Sequence, residues 1–406
     1  MNLTRNVSSQ NMKSFLWHAA FLAFAQNFMD VDTIIPAMLV ESGGTSIHIG
    51  IMAAILTGGS SFTQLFFAPV ISNDPYKKKY LLIGINSRLA SLISIALMLW
   101  FFHTNPGMNI LWLLFLSISI FAVGGAFANI SYVDILGKSI HQSSRKSFFS
   151  TKQLLTSLVV LFSAFLATHV LGLREYPINY SIMFFIGFIF LFIASLGFWR
   201  IKETVPAKFR ITGVKHYLQV MKSELKSNRR LKYFLGFINT QGIAVSFLPF
   251  VILFAKENFN TDSHDTGRFL LYKVLGGVII SLSILLFSKY TKYRLLLYLN
   301  TVLSLSVPII LLFSKNEPSF GLIFLIGGLI FAIYSITMNG VLLEISGNEN
   351  RAIYAGLAGA GNILPAIFPL ISGLIIKSLG FTPFFILYMI IITLSIFFIH
   401  KLKCLK

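Results

Sequence analysis

The chain has 406 residues, of which 55% are hydrophobic and 12% charged. Water-soluble domains carry about 25% charged residues, so this composition excludes an ordinary soluble globule and suits a chain immersed in lipid. The formal net charge of +19 does not indicate nucleic acid: the cations lie in short segments between apolar runs, and no basic soluble domain exists to present them.

In chain order, the apolar runs predict twelve membrane-spanning helices at 15–38, 48–71, 80–102, 110–136, 147–171, 178–199, 233–255, 267–287, 295–314, 319–345, 351–376 and 382–400. Helices are expected because lipid offers no partner for an unpaired peptide group. The first run is longer than the apolar core of a cleavable leader, so it is read as a retained span. A basic segment at 200–232 parts the runs six and six, into an amino-terminal half (1–199) and a carboxy-terminal half (233–406). Within that segment Val214, Tyr217, Leu218, Met221 and Leu225 recur at helical spacing, opposite Lys215, Lys222, Lys226 and Arg229. The pattern predicts an amphipathic helix, either lying on an anionic inner leaflet or serving as a solvated linker.

Lys and Arg orient the spans. With a cytoplasmic amino terminus, 25 of the 33 fall in cytoplasmic segments, five fall outside and three lie within spans. That asymmetry places both termini and the 200–232 segment in the cytoplasm.

A local pattern occurs twice. The fourth span ends "ANISYVDILGKSIHQSSRKSFFSTKQLL" and the tenth ends "SITMNGVLLEISGNENRAIYAGLAGAGNIL". In each, an acid closes a span, a polar loop follows, and an Arg opens the next span: Asp134 with Arg145, and Glu344 with Arg351. A junction repeated between halves is expected of parallel repeats about an axis normal to the membrane.

In its twelve spans, cytoplasmic termini, long middle segment and repeated acid–loop–Arg junction, the chain resembles the major facilitator superfamily over essentially its whole length. The loop "NDPYKKKYLL" stands where that family has a Gly/Asp/Arg-rich signature; it keeps Asp74 and a basic cluster and lacks the glycines. The loop "SKYTKYRLLL" after the eighth span is similarly reduced. The resemblance implies an all-α membrane protein with two six-helix lobes related by pseudo-two-fold symmetry. It also implies secondary active transport of a small-molecule solute by alternating access, with coupling to a proton or another cation. The expected setting is the inner plasma membrane, with an anionic inner leaflet and a monomeric assembly. A drug or metabolite efflux antiporter is the alternative within that class, and a non-transporting membrane receptor or scaffold the alternative outside it.

Charge at bilayer depth is expensive, so intramembrane ionisable residues are functional candidates. Asp30 and Asp32 lie in the outer third of the first span, and Lys273 lies at similar outer depth in the eighth. Two residues apart on a helix means about 200° apart, so only one of the two acids can face a given cavity. Matched depth and opposite sign predict that Asp30 or Asp32 pairs with Lys273 and closes the outside, or that the acids couple an ion. Arg88 is too deep in the third span to reach water, and a structural pair with Asp134 is the favoured expectation. The Asp134, Arg145 and Lys152 group and the Glu344 and Arg351 group are expected to form inner-gate or lobe-stabilising pairs. In the family that the chain resembles, spans one, four, seven and ten line the cavity. On those spans Gln26, Asn129, Asn239, Gln241 and Asn339 are candidates for hydrogen bonding a solute, against the alternative of tying helices together.

No Gly-rich phosphate loop, no Cys/His cluster with metal spacing and no converging nucleophile and base occur in the sequence, so neither a cofactor nor an enzyme activity is expected.

Overall fold

The computed structural model describes residues 3–59, 66–67, 71, 74–104, 110–206, 219, 222–287, 292–314, 318–346, 358–359 and 361–402. Arg351 and most of the expected amphipathic stretch at 214–225 lie outside these residues. The elements are α1 (Arg5–Gln26), α2 (Ile34–Glu41), α3 (Ser46–Ala54), α4 (Lys78–Thr104), α5 (Leu111–Ser139), α6 (Gln142–Gly172) and α7 (Ile178–Arg200). They continue as α8 (Arg229–Gln241), α9 (Leu248–Phe259), α10 (Ser263–Leu286), α11 (Tyr293–Phe313), α12 (Pro318–Ser346), α13 (Ile363–Leu379) and α14 (Phe381–Leu402). Among the described residues, nine helical segments are long and apolar enough to cross a membrane, α8 and α9 counting as one. The twelve-span architecture is completed by α1 with α2, and by the shorter apolar helices that begin at Ser46 and Ile363.

Helix ends follow local chemistry. Thr4 caps α1 by accepting from the Val7 N–H, and Asn228 caps α8 by accepting from the Arg230 and Leu231 N–H groups. Asp262 and Asp265 form a reciprocal capping box at the start of α10. Gly43 and Gly380 have φ near +86° and +84°, the left-handed backbone that turns the chain out of α2 and out of α13. Pro365 sits in the first turn of α13, where its missing N–H removes no helical bond; Pro369 is the proline inside that helix.

The first span of each half is broken at a corresponding place. A 3-10 turn at Asn27–Met29 follows α1, and a 3-10 turn at Gly242–Ser246 follows α8. The second span ends its regular helix in a π turn, Ile55–Gly59.

Contacts divide the chain into two units, one of residues 1–30 and 59–218 and the other of residues 31–58 and 219–406. The segment 31–58, inside the amino-terminal half of the sequence, therefore groups with the carboxy-terminal spans. The division crosses the chain at three points, and the first two adjoin the 3-10 turn after α1 and the π turn after α3. Within the first unit α1 packs on α6 and α7, and α4 packs on α5 and α7. Within the second, α8 packs on α14, and α11 packs on α12 and α14. First with sixth span, third with fourth and third with sixth thus recur as seventh with twelfth, ninth with tenth and ninth with twelfth, the signature of a six-span repeat.

Cores are aromatic. Phe247, Phe250, Phe384 and Phe385 stack in the second unit, with ring centroids 5.1–5.9 Å apart in the linked pairs. In the first, Phe15 links Tyr132 to Phe148, Tyr132 meets Phe198, and the His18 ring stacks 3.6 Å from that of Phe198.

Candidate functional site

Charge-bearing places stand out in both units. In the first unit, the end where α4 begins and α5 and α7 finish holds a closed ionic network. Asp134 of α5 receives Lys77 at 3.2 Å and Lys138 at 2.8 Å. Lys138 also reaches Glu203 at 2.7 Å. The Glu203 carboxylate accepts the Lys77 and Lys78 backbone N–H groups at 2.8 and 2.7 Å, which puts an anion on the positive end of α4. The Lys78 ammonium in turn donates to the Trp199 and Ile201 carbonyls at the end of α7. Asn11 ties α1 to the same end through the backbone of Lys202. On the rim, the Lys79 ammonium and the Tyr76 N–H hold the half-buried Asp74 carboxyl below its usual range.

This arrangement corrects two expectations. Asp134 pairs with neither Arg88 nor Arg145, because two lysines at its own depth reach it first. Arg88 sits ten residues into α4, about 15 Å from that helix's start, whereas Asp134 is only about 7 Å from the end of α5. Arg145 donates instead to the carbonyls of Gly137 and Ile140, satisfying the end of α5.

Deeper in the first unit lie Arg88 and Lys152. The Arg88 guanidinium rests 4.1 Å from the centroid of Phe121, and its enclosed Nε has no hydrogen-bond partner. Lys152 donates to the Tyr132 hydroxyl at 3.2 Å and lies 5.4 Å from that ring's centroid. Close approach of α4 to α5 through Gly84 and Gly124 brings Arg88 onto the face of α5.

In the second unit, Lys273 of α10 meets Asp32 at 2.5 Å, with both side chains nearly sealed from solvent at 10% and 6% exposure. Of the two acids, Asp32 thus supplies the partner resolved here for Lys273. Asp32 falls in the non-helical stretch between the 3-10 turn and α2, which places its carboxylate toward α10 rather than at the 200° offset of a continuous helix. A second pair, Lys256 of α9 with Glu41 of α2 at 2.6 Å, was not anticipated from sequence; Ser263 also donates to Glu41. Beside these pairs α3 packs on α13 along a seam of small residues. Ser46 donates to the Gly373 carbonyl at 3.0 Å, and Gly50 lies against the Pro369 carbonyl.

Glu344 is held by Arg230 of α8 at 2.6 Å. In both halves the acid that closes the fourth span of the repeat is therefore paired with a cation that opens another span, Lys77 for Asp134 and Arg230 for Glu344.

The amide candidates divide. Gln241 is fully buried, donating to Ser304 and accepting from Thr301 and Ser395, so it ties α8 to α11 and α14. Asn239 donates to the Gly361 carbonyl and accepts from the Leu364 N–H, fixing the start of α13 to α8. Asn339 is exposed and donates to the Ser335 carbonyl of its own helix. Gln26 and Asn129 are exposed on α1 and α5. An amide the sequence reading did not rank as cavity-lining, Asn27, is buried at the 3-10 turn and donates to Val160 and Ser163 of α6. Among the described residues no group of His, Cys, Asp and Glu could hold a metal ion.

The family model described as Major Facilitator Superfamily matches residues 16–364. The chain belongs to that superfamily. It is a multi-pass integral membrane protein of a transporter family. A mutant of the nucleoside transporter NupG shares its fold, with a TM-score of 0.69 at 16% identity, over 96% of this chain and 98% of that one. A POT family transporter in complex with a thioalcohol-conjugated peptide gives a TM-score of 0.70 at 14% identity, over 97% and 96%. The human organic anion transporter MFSD10 (TETRAN) gives 0.61 at 12% identity, over 97% and 99%. No curated protein sequence matches the chain.

Proposed function

We propose that this superfamily member is a secondary active transporter of a small solute, working by alternating access and coupled to a proton or another cation at Asp32. The observation that carries the reading is the buried Asp32–Lys273 pair, which holds the outer half of the first span to the eighth. A buried ion pair made by two spans is costly to leave with one partner removed, so the two spans part or meet as a unit, the behaviour required of a gate with two discrete states. Protonation of Asp32 would free Lys273 and weaken the closure, so one carboxylate serves both gating and coupling. Glu41–Lys256 and the α3–α13 seam reinforce the same end. The irregular backbone at Asn27–Met29 and Ile55–Gly59 supplies the pliant points at which spans one and two can bend.

The distribution of Lys and Arg supports cytoplasmic termini in an inner plasma membrane, with the Asp134–Lys138–Glu203 network on the cytoplasmic side. The solved neighbours carry by name a nucleoside, a peptide and an organic anion, so their shared fold supports transport without choosing the cargo. The test is reconstitution into proteoliposomes loaded with a pH-sensitive dye. Addition of a carried solute should acidify or alkalinise the lumen, and Asp32→Asn should abolish that proton movement. Solute flux that is indifferent to a pH or cation gradient, in the wild type and in Asp32→Asn alike, would remove the coupling assignment.

A further inference from the structure

We propose that the basic interior of the first unit, Arg88 and Lys152 beside His18 and Tyr132, is the binding site for an organic anion, and that this anion is the carried solute. The proposal deepens the transporter reading above and rests on it.

The acids of the first unit are Asp30 at its boundary, Asp74, Asp134, Glu175 and Glu203, the last held by Lys138. Asp74 is on the rim with Lys79, Asp134 is held by Lys77 and Lys138, and Glu175 lies in the loop before α7. The residues of this unit outside the described set contain no Asp or Glu at all. Arg88 and Lys152 therefore place two positive charges at depth in a lobe whose second, third, fifth and sixth spans offer no carboxylate. Among the described residues neither makes a salt bridge.

Local geometry shows what each still lacks. A guanidinium carries five N–H donors in a planar fork suited to a carboxylate or phosphate. The ring of Phe121 supports its flat face and accepts none of those protons, and the Nε is enclosed without a partner. An ammonium has three donors, and the Tyr132 hydroxyl takes one of Lys152's. Phe121 and Tyr132 are eleven residues apart on α5, three turns and about 20°, so the two cations attend one face of that helix about 16 Å apart along its axis. His18, stacked on Phe198, is within electrostatic reach of both. A face with two separated cations, aromatic walls and an imidazole suits a solute with an apolar body and one or two acid groups. An ion of that kind would neutralise the lobe on binding, and the unsatisfied cations keep the empty site ready for it.

The test uses the full-length protein in lipid nanodiscs and matched probes: succinate with succinamide, benzoate with benzamide, glycerol 3-phosphate with glycerol, and inorganic phosphate. At least one organic anion should raise the thermal midpoint by several degrees while its neutral counterpart does not. Arg88→Gln or Lys152→Gln, whichever removes the cation that the anion meets, should abolish that shift, and where it is Arg88 the Arg88→Lys variant should keep part of it. Without ligand, Arg88→Met should melt at or above the wild-type temperature, since it removes an uncompensated charge. A panel in which no anion stabilises overturns the proposal, as does an anion shift that persists in both Gln variants. So does a fall of the unliganded midpoint in Arg88→Met and Lys152→Met alike, which would make the cations structural. The two readings fail separately. A neutral solute carried across proteoliposomes by Arg88→Gln as well as by the wild type keeps the transporter and removes the anion site. An anion bound through Arg88 but never carried keeps the site and removes the transporter.

Discussion

Lys273 of the eighth span lies 2.5 Å from Asp32 of the first, both buried, in a stretch of span one that has left the helix. Removing either charge alone strands the other in a low-dielectric setting, at a cost on the order of 3 kcal/mol. Asp32→Asn and Lys273→Met should each impair transport and lower the melting temperature. The reciprocal exchange, Asp32→Lys with Lys273→Asp, restores opposite charge at the same place and should recover part of both. Failure of the double variant to improve on either single one, in flux and in melting, would count against a direct pair.

The end of the first unit depends on Glu203 more than on any other acid there, since its carboxylate satisfies two backbone N–H groups of α4 and meets Lys138. Glu203→Gln should destabilise by roughly 2 kcal/mol, combining a lost helix-terminal charge with a weakened buried pair. Asp74 is the contrast. Its carboxyl is held low by Lys79 and Tyr76, so any stability it lends is present above the ordinary carboxylate pKa of about 3.9 and is lost as pH falls through its depressed value. Its partner Lys79 is exposed, so the pair should contribute little at any pH, and Asp74→Asn should melt with the wild type. Thermal unfolding in detergent checks both; equal losses would show that burial is not what separates them.

The α3–α13 seam has no room for a side chain. A Cβ at Gly373 would lie 2.5 Å from the Ser46 carbonyl oxygen. Gly373→Val should force α3 and α13 apart and increase labelling of a cysteine introduced at Ser46 by a membrane-impermeant maleimide, with Cys404 replaced by Ser. An unchanged labelling rate would mean that the seam does not hold this end closed.

Gln241 joins α8, α11 and α14 through three hydroxyls and has no exposed surface. Gln241→Leu should cost about 1–3 kcal/mol of stability by leaving those hydroxyls without their partner. It should leave the KM for the carried solute unchanged. A large KM rise with normal melting would return this residue to the solute pathway.

Much of the architecture is legible in the sequence because bilayer thickness sets a single length scale. Apolar runs and the 200–232 break therefore give the spans without tertiary information. The break in span one left a trace that apolar-run counting passes over: residues 27–33 include Asn27, Asp30, Asp32 and Thr33 between apolar flanks, and Asn27 bonds across to α6 at the 3-10 turn. Depth and sign were enough to couple Lys273 to one of two acids, but choosing Asp32 needed the departure from helical phase. For Asp134 the same reasoning failed, since its cations came from its own helix, Lys138, and from the start of α4, Lys77; Glu344 takes Arg230, and its expected pairing with Arg351 lies outside the described residues. Glu203 did leave a trace, as one of two acids in a segment with ten cations. Asn239 and Gln241 show the limit for amides, where helix-tying and solute binding use the same chemistry and only the partners tell them apart.

The central claim, that the Asp32–Lys273 pair holds one end closed and yields when the pair is broken, is tested most directly by electron-spin distance measurement. Nitroxide labels at Ser42, after α2, and Ser378, in the last turn of α13, report on that end. The wild type should show a dominant short distance, and Asp32→Asn and Lys273→Met should each add a longer population that the charge-exchanged double variant reduces. A single unchanged distance in all four proteins would contradict the account.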